Sequence, residues 1–218
     1  MIILLFGPPG CGKGTQAAFL ADRFQLPAIS TGDIFRAECK AGTALGKQAC
    51  SIISSGGLVG DDIVNQIVTR RIQQADCAGG FLLDGYPRTL VQAVFLDGCL
   101  ESRGCPEPVA VHITVPARVL VDRITARMTC PACRHIYNLR SQPPRVAGVC
   151  DIDGVALMRR DDDTEPVILA RLKAYEEAIG PVLDHYRARQ YYQVDGTGTP
   201  EQISCEIERQ LSGVLAFH

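Results

Sequence analysis

With 218 residues, 46% of them hydrophobic and 21% charged, the chain is long enough to bury the core of one α/β domain carrying insertions. A formal net charge of −2 and a pI near 6.1 exclude the broad basic field that non-specific nucleic-acid binding needs, and leave small anions held in local Arg and Lys pockets. The N-terminal apolar run, Ile2 to Phe6, is short, lacks a basic flank and ends at Gly-Pro-Pro-Gly; neither a signal peptide nor a membrane span is expected, and a cytoplasmic protein is.

Ile2 to Phe6 reads as a buried strand, and it opens without a break into Gly7-Pro8-Pro9-Gly10-Cys11-Gly12-Lys13-Gly14-Thr15. Glycines let such a turn point its N–H groups at phosphate oxygens, Lys13 adds a charge for the β/γ end, and the following helix adds its positive N-terminus. The chain is therefore expected to bind a nucleoside triphosphate. Where the usual motif has Ser or Thr after the lysine, this chain has Gly14, with the hydroxyl one residue later at Thr15.

A weaker strand follows at Ala28-Ile29, and Asp61 opens an amphipathic helix through Ile63, Val64, Ile67 and Val68. The strand Phe81-Leu82-Leu83 ends in Asp84, placing a carboxylate opposite the phosphate loop. Asp84 is the natural organiser of Mg²⁺, which keeps most of its waters and takes few carboxylates. Further strands are expected at Val109 to Val115 and Tyr191 to Val194, and Thr199-Pro200-Glu201-Gln202 reads as an N-cap, an N1 proline and an N3 glutamine. Strands alternating with helices imply a parallel sheet covered by helices.

From Met128 to Arg160 the periodicity stops, and prolines, glycines and three of the ten cysteines mark an insertion. Cys130-Pro131-Ala132-Cys133 is followed, after sixteen residues, by Cys150-Asp151-Ile152-Asp153. Two-residue gaps let each pair bite one ion, and three thiolates with one carboxylate complete a tetrahedron, so structural zinc on Cys130, Cys133, Cys150 and Asp153 is expected. A carboxylate is a less selective ligand than a thiolate, leaving room for iron or cobalt and for His135 or Asp151 as substitutes, with His135 the second choice. The other seven cysteines, Cys11, Cys39, Cys50, Cys77, Cys99, Cys105 and Cys205, stand singly and are read as small core residues, with a redox role for Cys11 left open. Arg36, Arg88, Arg123, Arg127, Arg160 and Arg171 are expected at element ends, and between Arg118 and Arg145 six arginines face one acid, Asp122, so that segment can fold over a polyphosphate.

Taken in order, the phosphate loop, Ser30-Thr31-Gly32-Asp33 with Arg36, Leu83-Asp84-Gly85-Tyr86-Pro87-Arg88, and Asp122-Arg123-Ile124 make the chain resemble the adenylate kinase family, in its bacterial long-lid, zinc-bearing form. The resemblance runs to Asp195-Gly196-Thr197 and absorbs Gly14, since that family reads Gly-Lys-Gly-Thr. It implies an α/β P-loop core with a five-stranded parallel sheet flanked by helices (1–29, 60–126 and 164–218), a nucleoside-monophosphate-binding insertion (30–59) and a metal-stapled lid (127–163). It also implies reversible phosphoryl transfer from Mg·ATP to AMP, giving two ADP, by a chain expected to be a monomer without nucleic-acid or membrane partners.

By motif match, ATP falls to Gly10, Cys11, Gly12, Lys13, Gly14, Thr15, Arg123, Arg127, Ile136, Tyr137 and Gly198. AMP falls to Thr31, Arg36, Gly57, Leu58, Val59, Gly85, Tyr86, Arg88, Gln92, Arg160 and Arg171, with Gln92 reading the adenine. Lys13, Asp84, Arg88, Arg127, Arg160 and Arg171 form the implied catalytic set, and Asp162 and Asp163 match lid acids. Rival readings are another nucleoside monophosphate kinase, of UMP/CMP or GTP-using type, and a zinc-bearing, ATP-regulated nucleic-acid-binding module, which the acidic pI disfavours.

Overall fold

The structure, a computed structural model, describes residues 1–215. Strand β1 (Ile2–Phe6) leads through the glycine-rich turn into α1 (Lys13–Phe24), then β2 (Ala28–Ser30), the helix pair α2 (Thr31–Ala41) and α3 (Ala44–Ser54), α4 (Asp61–Ile72) and β3 (Phe81–Asp84). There follow α5 (Leu90–Ser102), β4 (Val109–Thr114), α6 (Ala117–Thr125), the short strands β5 (Arg127–Thr129) and β6 (Ile136–Asn138), the long α7 (Glu165–Arg187), β7 (Tyr191–Asp195) and α8 (Pro200–Leu215).

Five strands form one parallel sheet in the order β2-β3-β1-β4-β7, as the alternation of strands and helices leads one to expect. Period-two alternation divides β1 between the two faces. Ile3 and Leu5 pack with Leu20, Leu120, Ile124 and Ile207 from α1, α6 and α8, while Ile2, Leu4 and Phe6 pack with Val68, Leu96, Val182 and Tyr186 from α4, α5 and α7. A sheet covered on both faces needs strands apolar throughout, which is why β1 is an unbroken hydrophobic run. β1 lies between β3 and β4, so the chain leaves it toward one side first and returns on the other. A crevice opens beyond the strand ends at that switch point, and the glycine-rich turn sits there.

Local chemistry sets the helix starts. Ser30, Thr43 and Thr89 cap α2, α3 and α5 by accepting hydrogen bonds from the N–H groups of Asp33, Gly46 and Gln92. Thr199 and Gln202 form the expected reciprocal box at α8: the Thr199 N–H donates to Gln202 Oε1 at 2.9 Å, and the Gln202 N–H to Thr199 Oγ1 at 3.3 Å. Among the described residues, no helix is long and apolar enough to cross a membrane.

The reading of the single cysteines as core residues needs correction. Cys39 and Cys50 are bonded to each other, joining the last turn of α2 to α3, and Cys205 is exposed; of the seven, Cys11 and Cys77 are buried. The pairing follows from the crossing of the two helices, where a Cβ on Gly46 would lie 2.1 Å from the Glu38 carbonyl oxygen, so glycine is what lets them approach. The bridge spans 11 positions in sequence. By chain entropy a loop of that size is worth about 2–3 kcal/mol. A Cys39→Ser/Cys50→Ser variant should lose that much in urea unfolding without reductant, whereas an unchanged midpoint would mean that the bridge does not form in solution.

Residues 127–163 carry their own small core. β5 and β6 pair antiparallel, Thr129 bridges to Met158, and Cys130, Tyr137, Cys150 and Leu157 pack together with Met128.

Candidate active site and metal cluster

A cleft of about 920 Å³ opens at the switch point. Its walls include Gly10, Cys11, Gly12, Lys13, Gly14 and Thr15 of the turn, Asp84, Arg123, Arg127, Ile136, Tyr137 and Gly198. Thr31, Arg36, Gly57, Leu58, Val59, Gly85, Arg88, Gln92, Arg160 and Arg171 line it too. Every residue assigned to a nucleotide site by motif match thus lies on one cavity, except Tyr86. That ring is fully buried in the sheet-side core, with its hydroxyl donating to Asn65 Oδ1 at 2.6 Å, so Tyr86 supports the site from behind and does not line it.

The turn holds its shape before any ligand is considered. Gly12 adopts φ 104°, a left-handed conformation disfavoured for residues with a Cβ, and hands the chain to α1 at Lys13. Lys13 Nζ donates to the carbonyls of Gly7 (2.7 Å) and Pro8 (3.1 Å), which holds its ammonium over the turn. Cys11 lies beneath, fully buried. Burial pushes its thiol above the usual range despite the pull of Lys13, the condition of an unreactive cysteine. Asp84 faces the turn from the end of β3, its Oδ2 3.8 Å from where a Cβ of Gly14 would lie. A Cβ there would touch that carboxylate only at ordinary van der Waals distance and would press instead on the Ile136 side chain, 3.3 Å away. Arg123 ties the turn to the loop after β7, donating to the Gly196 carbonyl at 2.8 Å.

The arginines converge from distant segments. Arg36 and Arg171 lie inside α2 and α7, where element ends were expected; one helical face carries each into the cleft. Asp162, nearly buried, stands 2.9 Å from Arg171 and 3.8 Å from Arg36, and Asp163 receives both Nε and Nη2 of Arg127. Asp33 pairs with Arg36 at 2.5 Å; burial alone would raise its pKa, but Arg36 overrides this and holds the carboxyl below its ordinary value. Arg88 and Arg160 donate to neutral oxygens instead, the Gly85 carbonyl at 2.7 Å and Thr129 Oγ1 at 3.2 Å. Burial, then the neighbouring Arg127, pulls Arg160 down to about 10. Arg88 reaches water in the cleft mouth, yet enclosure by the walls and the nearby Arg171 bring it to about 10 as well. Guanidiniums crowded in this way favour an anion placed among them.

Cys130, Cys133, Cys150 and Asp153 bring their ligand atoms within 4.8 Å of one another. The Cys133 and Cys150 sulfurs are 3.6 Å apart, and Cys130 Sγ is 3.1 Å from Asp153 Oδ2. Metal–sulfur bonds of about 2.3 Å in a tetrahedron put sulfurs about 3.8 Å apart, so the cluster fits zinc. Outer contacts orient it: the N–H groups of Cys133 and Val155 donate to the Asp153 carboxylate at 3.2 and 3.0 Å, and Ala132 N–H to Cys130 Sγ at 3.4 Å. Neither substitute ligand joins the group. Asp151 accepts from the Arg145 N–H, and the His135 ring packs edge-on against Tyr137.

Several participants had no sequence signal. Tyr175 lines the cleft and contacts His112 Nε2 at 3.3 Å, and His112 Nδ1 in turn contacts Tyr191. Burial, with Arg187 and Lys13 nearby, drops His112 to about 4 and keeps the ring neutral. Asp61, read only as a helix start, also accepts from Gln92.

A glycine-rich turn between a buried parallel strand and a helix N-terminus, facing clustered arginines at the switch point of the sheet, defines a P-loop nucleotide-binding protein equipped to handle phosphoryl groups. Comparison with known proteins narrows this class. Residues 5–191 match the family model described as adenylate kinase. The chain is 46% identical over 212 residues to the adenylate kinase of Anaeromyxobacter dehalogenans strain 2CP-1, covering 97% of this chain and 99% of that protein. It is 43% identical over 215 residues to that of Syntrophomonas wolfei (98% and 100%), and 42% identical over 214 residues to that of Caldanaerobacter subterraneus (98% and 97%). The chain belongs to the adenylate kinase family and is a phosphotransferase acting between adenine nucleotides.

Proposed function

We propose that the enzyme transfers the γ-phosphoryl group of Mg·ATP reversibly to AMP, giving two ADP, as a single cytoplasmic chain. The observation that carries this reading is the set of arginines sharing one cleft with the glycine-rich turn, with Arg88 and Arg160 donating to no carboxylate among the described residues. In the proposed division, residues 30–59 close on the acceptor, residues 127–163 form a lid over the donor, and the remainder is the core.

The turn and Lys13 receive the ATP phosphates, Arg127 adds charge from the lid base, and Arg123 and Gly198 border the donor base. Thr31, Arg36, Arg88 and the backbone of 57–59 hold AMP, with Gln92 against its base. An oxygen of the AMP phosphate attacks the γ-phosphorus in line, and the bond from that phosphorus to the β–γ bridging oxygen breaks. The transition state is loose, with charge on its equatorial oxygens, so positioning and positive charge supply most of the acceleration. Arg160 and Arg171 meet that charge. The attacking phosphate is already ionised and needs no general base.

Asp84 and Thr15 would hold the waters and ion of Mg·ATP, which supplies charge neutralisation on the β and γ oxygens. Zinc on Cys130, Cys133, Cys150 and Asp153 would be structural, a closed set of four ligands holding the lid rigid.

A coupled assay with AMP, UMP, CMP or GMP as acceptor tests the reading. Turnover is expected with AMP, and with UMP, CMP and GMP only at rates at least about a hundredfold lower, as for a site whose buried polar groups are matched to one base. Comparable turnover with UMP or CMP would instead make it a pyrimidine nucleotide kinase.

A further inference from the structure

Gln92 is 2% exposed, lines the cleft, and has both ends of its amide already engaged. Its Oε1 accepts from the Arg88 backbone N–H at 2.8 Å, and its Nε2 donates to Asp61 Oδ1 at 2.8 Å. Asp61 stands behind Gln92, at the first turn of α4, and is not among the residues lining the cleft. The same Asp61 oxygen accepts from the Thr89 hydroxyl at 3.0 Å, and Thr89 in turn caps α5 by accepting from the Gln92 N–H at 3.2 Å.

We propose that Asp61 is a specificity-determining positioning residue: its carboxylate, with the Arg88 N–H, fixes which end of the Gln92 amide is oxygen, and so selects adenine over guanine at the acceptor site. A backbone N–H can only donate and an ionised carboxylate can only accept. Rotating the amide by half a turn would set the NH₂ against the Arg88 N–H and the carbonyl against the carboxylate, breaking two partly buried hydrogen bonds and creating two like-dipole contacts. One Nε2 hydrogen and one Oε1 lone pair then remain for a ligand, in a fixed order. Adenine presents a 6-amino donor beside a ring-nitrogen acceptor, which matches an oxygen and an N–H in that order. Guanine presents a 6-oxo acceptor beside an N1–H donor, which matches the reversed order. A free glutamine can serve either base by rotating; a locked one serves one.

This rests on the reading of the Gln92 end of the cleft as the acceptor-base site, and the experiment separates the two. With ATP as donor, kcat/KM is measured for AMP and GMP on the full chain and on Asp61→Asn, Asp61→Glu and Gln92→Ala, with melting curves for each. The amide that D61N introduces could donate to a reversed Gln92, so this variant should narrow the AMP/GMP preference at least tenfold, with measurable GMP turnover, whereas D61E, still acceptor-only, should keep the parental preference. Q92A should raise KM for AMP at least tenfold. If Q92A leaves KM for AMP unchanged, the acceptor-base reading fails. If Q92A raises it while D61N keeps the parental AMP/GMP ratio, including by weakening both substrates equally, Asp61 is merely structural and the proposal is overturned. Should D61N not fold, Asp61→Ala gives the same comparison with the same two outcomes.

Discussion

Arg160→Ala is expected to lower kcat by about two to three orders of magnitude while leaving the melting temperature unchanged or slightly raised. The first half follows from the proposed role: removing one preorganised donor to transition-state charge typically costs 10²–10³ in kcat, about 2.7–4 kcal/mol. The second half follows from the ground state. Burial and the neighbouring Arg127 and Arg36 depress the Arg160 pKa from 12.5 to about 10. A base whose folded pKa lies below its unfolded value is less comfortable charged in the folded chain, at any pH below the folded value. Its one hydrogen bond from Nε, to Thr129, is to a neutral oxygen. Removing the side chain therefore relieves cationic crowding. Steady-state kinetics and calorimetry on one preparation check both halves. A variant with near-parental kcat would take Arg160 out of the phosphoryl path, and one that melts well below the parent would make it structural.

The second large effect concerns the metal cluster. One zinc per chain is expected, and Cys150→Ser should abolish it together with several kcal/mol of stability, on the order of 10 °C in melting temperature at about 2–4 °C per kcal/mol for a chain of this size. The reason is the poverty of the local core. The buried residues around the cluster are Cys130, Tyr137, Cys150 and Leu157, and two of these belong to the candidate ligand set. So little apolar area is a weak offset to the entropy of ordering the segment between β5 and α7, and the expected metal would supply the difference. Because β5 begins with Arg127 and the segment ends near Arg160, loosening it also scatters two arginines of the cleft, so activity should fall with metal content. Metal analysis with melting and rate measurements tests this; full activity and stability at zero metal would refute the structural role.

The sequence was most informative where function is written in short range. β1, the phosphate loop, Asp84 at the end of β3 and the Thr199 capping box each depend on neighbours within a few positions, and each appears as expected. The Cys130, Cys133, Cys150 and Asp153 set was legible because ligand spacing constrains a knuckle directly. What failed depended on how distant segments cross. The Cys39–Cys50 bridge exists because α2 and α3 approach at Gly46, which no spacing reveals. Tyr86 falls to the AMP site by motif match, between Gly85 and Arg88 on the cleft, yet its ring is fully buried in the core and its hydroxyl meets Asn65 of α4, a packing that no motif reveals. Asp61 and Gln92 are 31 positions apart and meet only once α4 and α5 pack.

Asp162 and Asp163 carry a consequence of a different kind. Both hold guanidiniums that the proposed reaction assigns to nucleotide phosphates: Arg36 and Arg171 around one, Arg127 against the other. A phosphate arriving in the cleft meets these arginines already partnered, so binding exchanges one anion for another and the net gain is only the difference between them. Built-in carboxylates thus act as competitive occupants, capping how tightly any nucleotide is held. In the proposed reaction, which runs both ways and releases two products of similar charge, a loose grip at rest would let turnover continue.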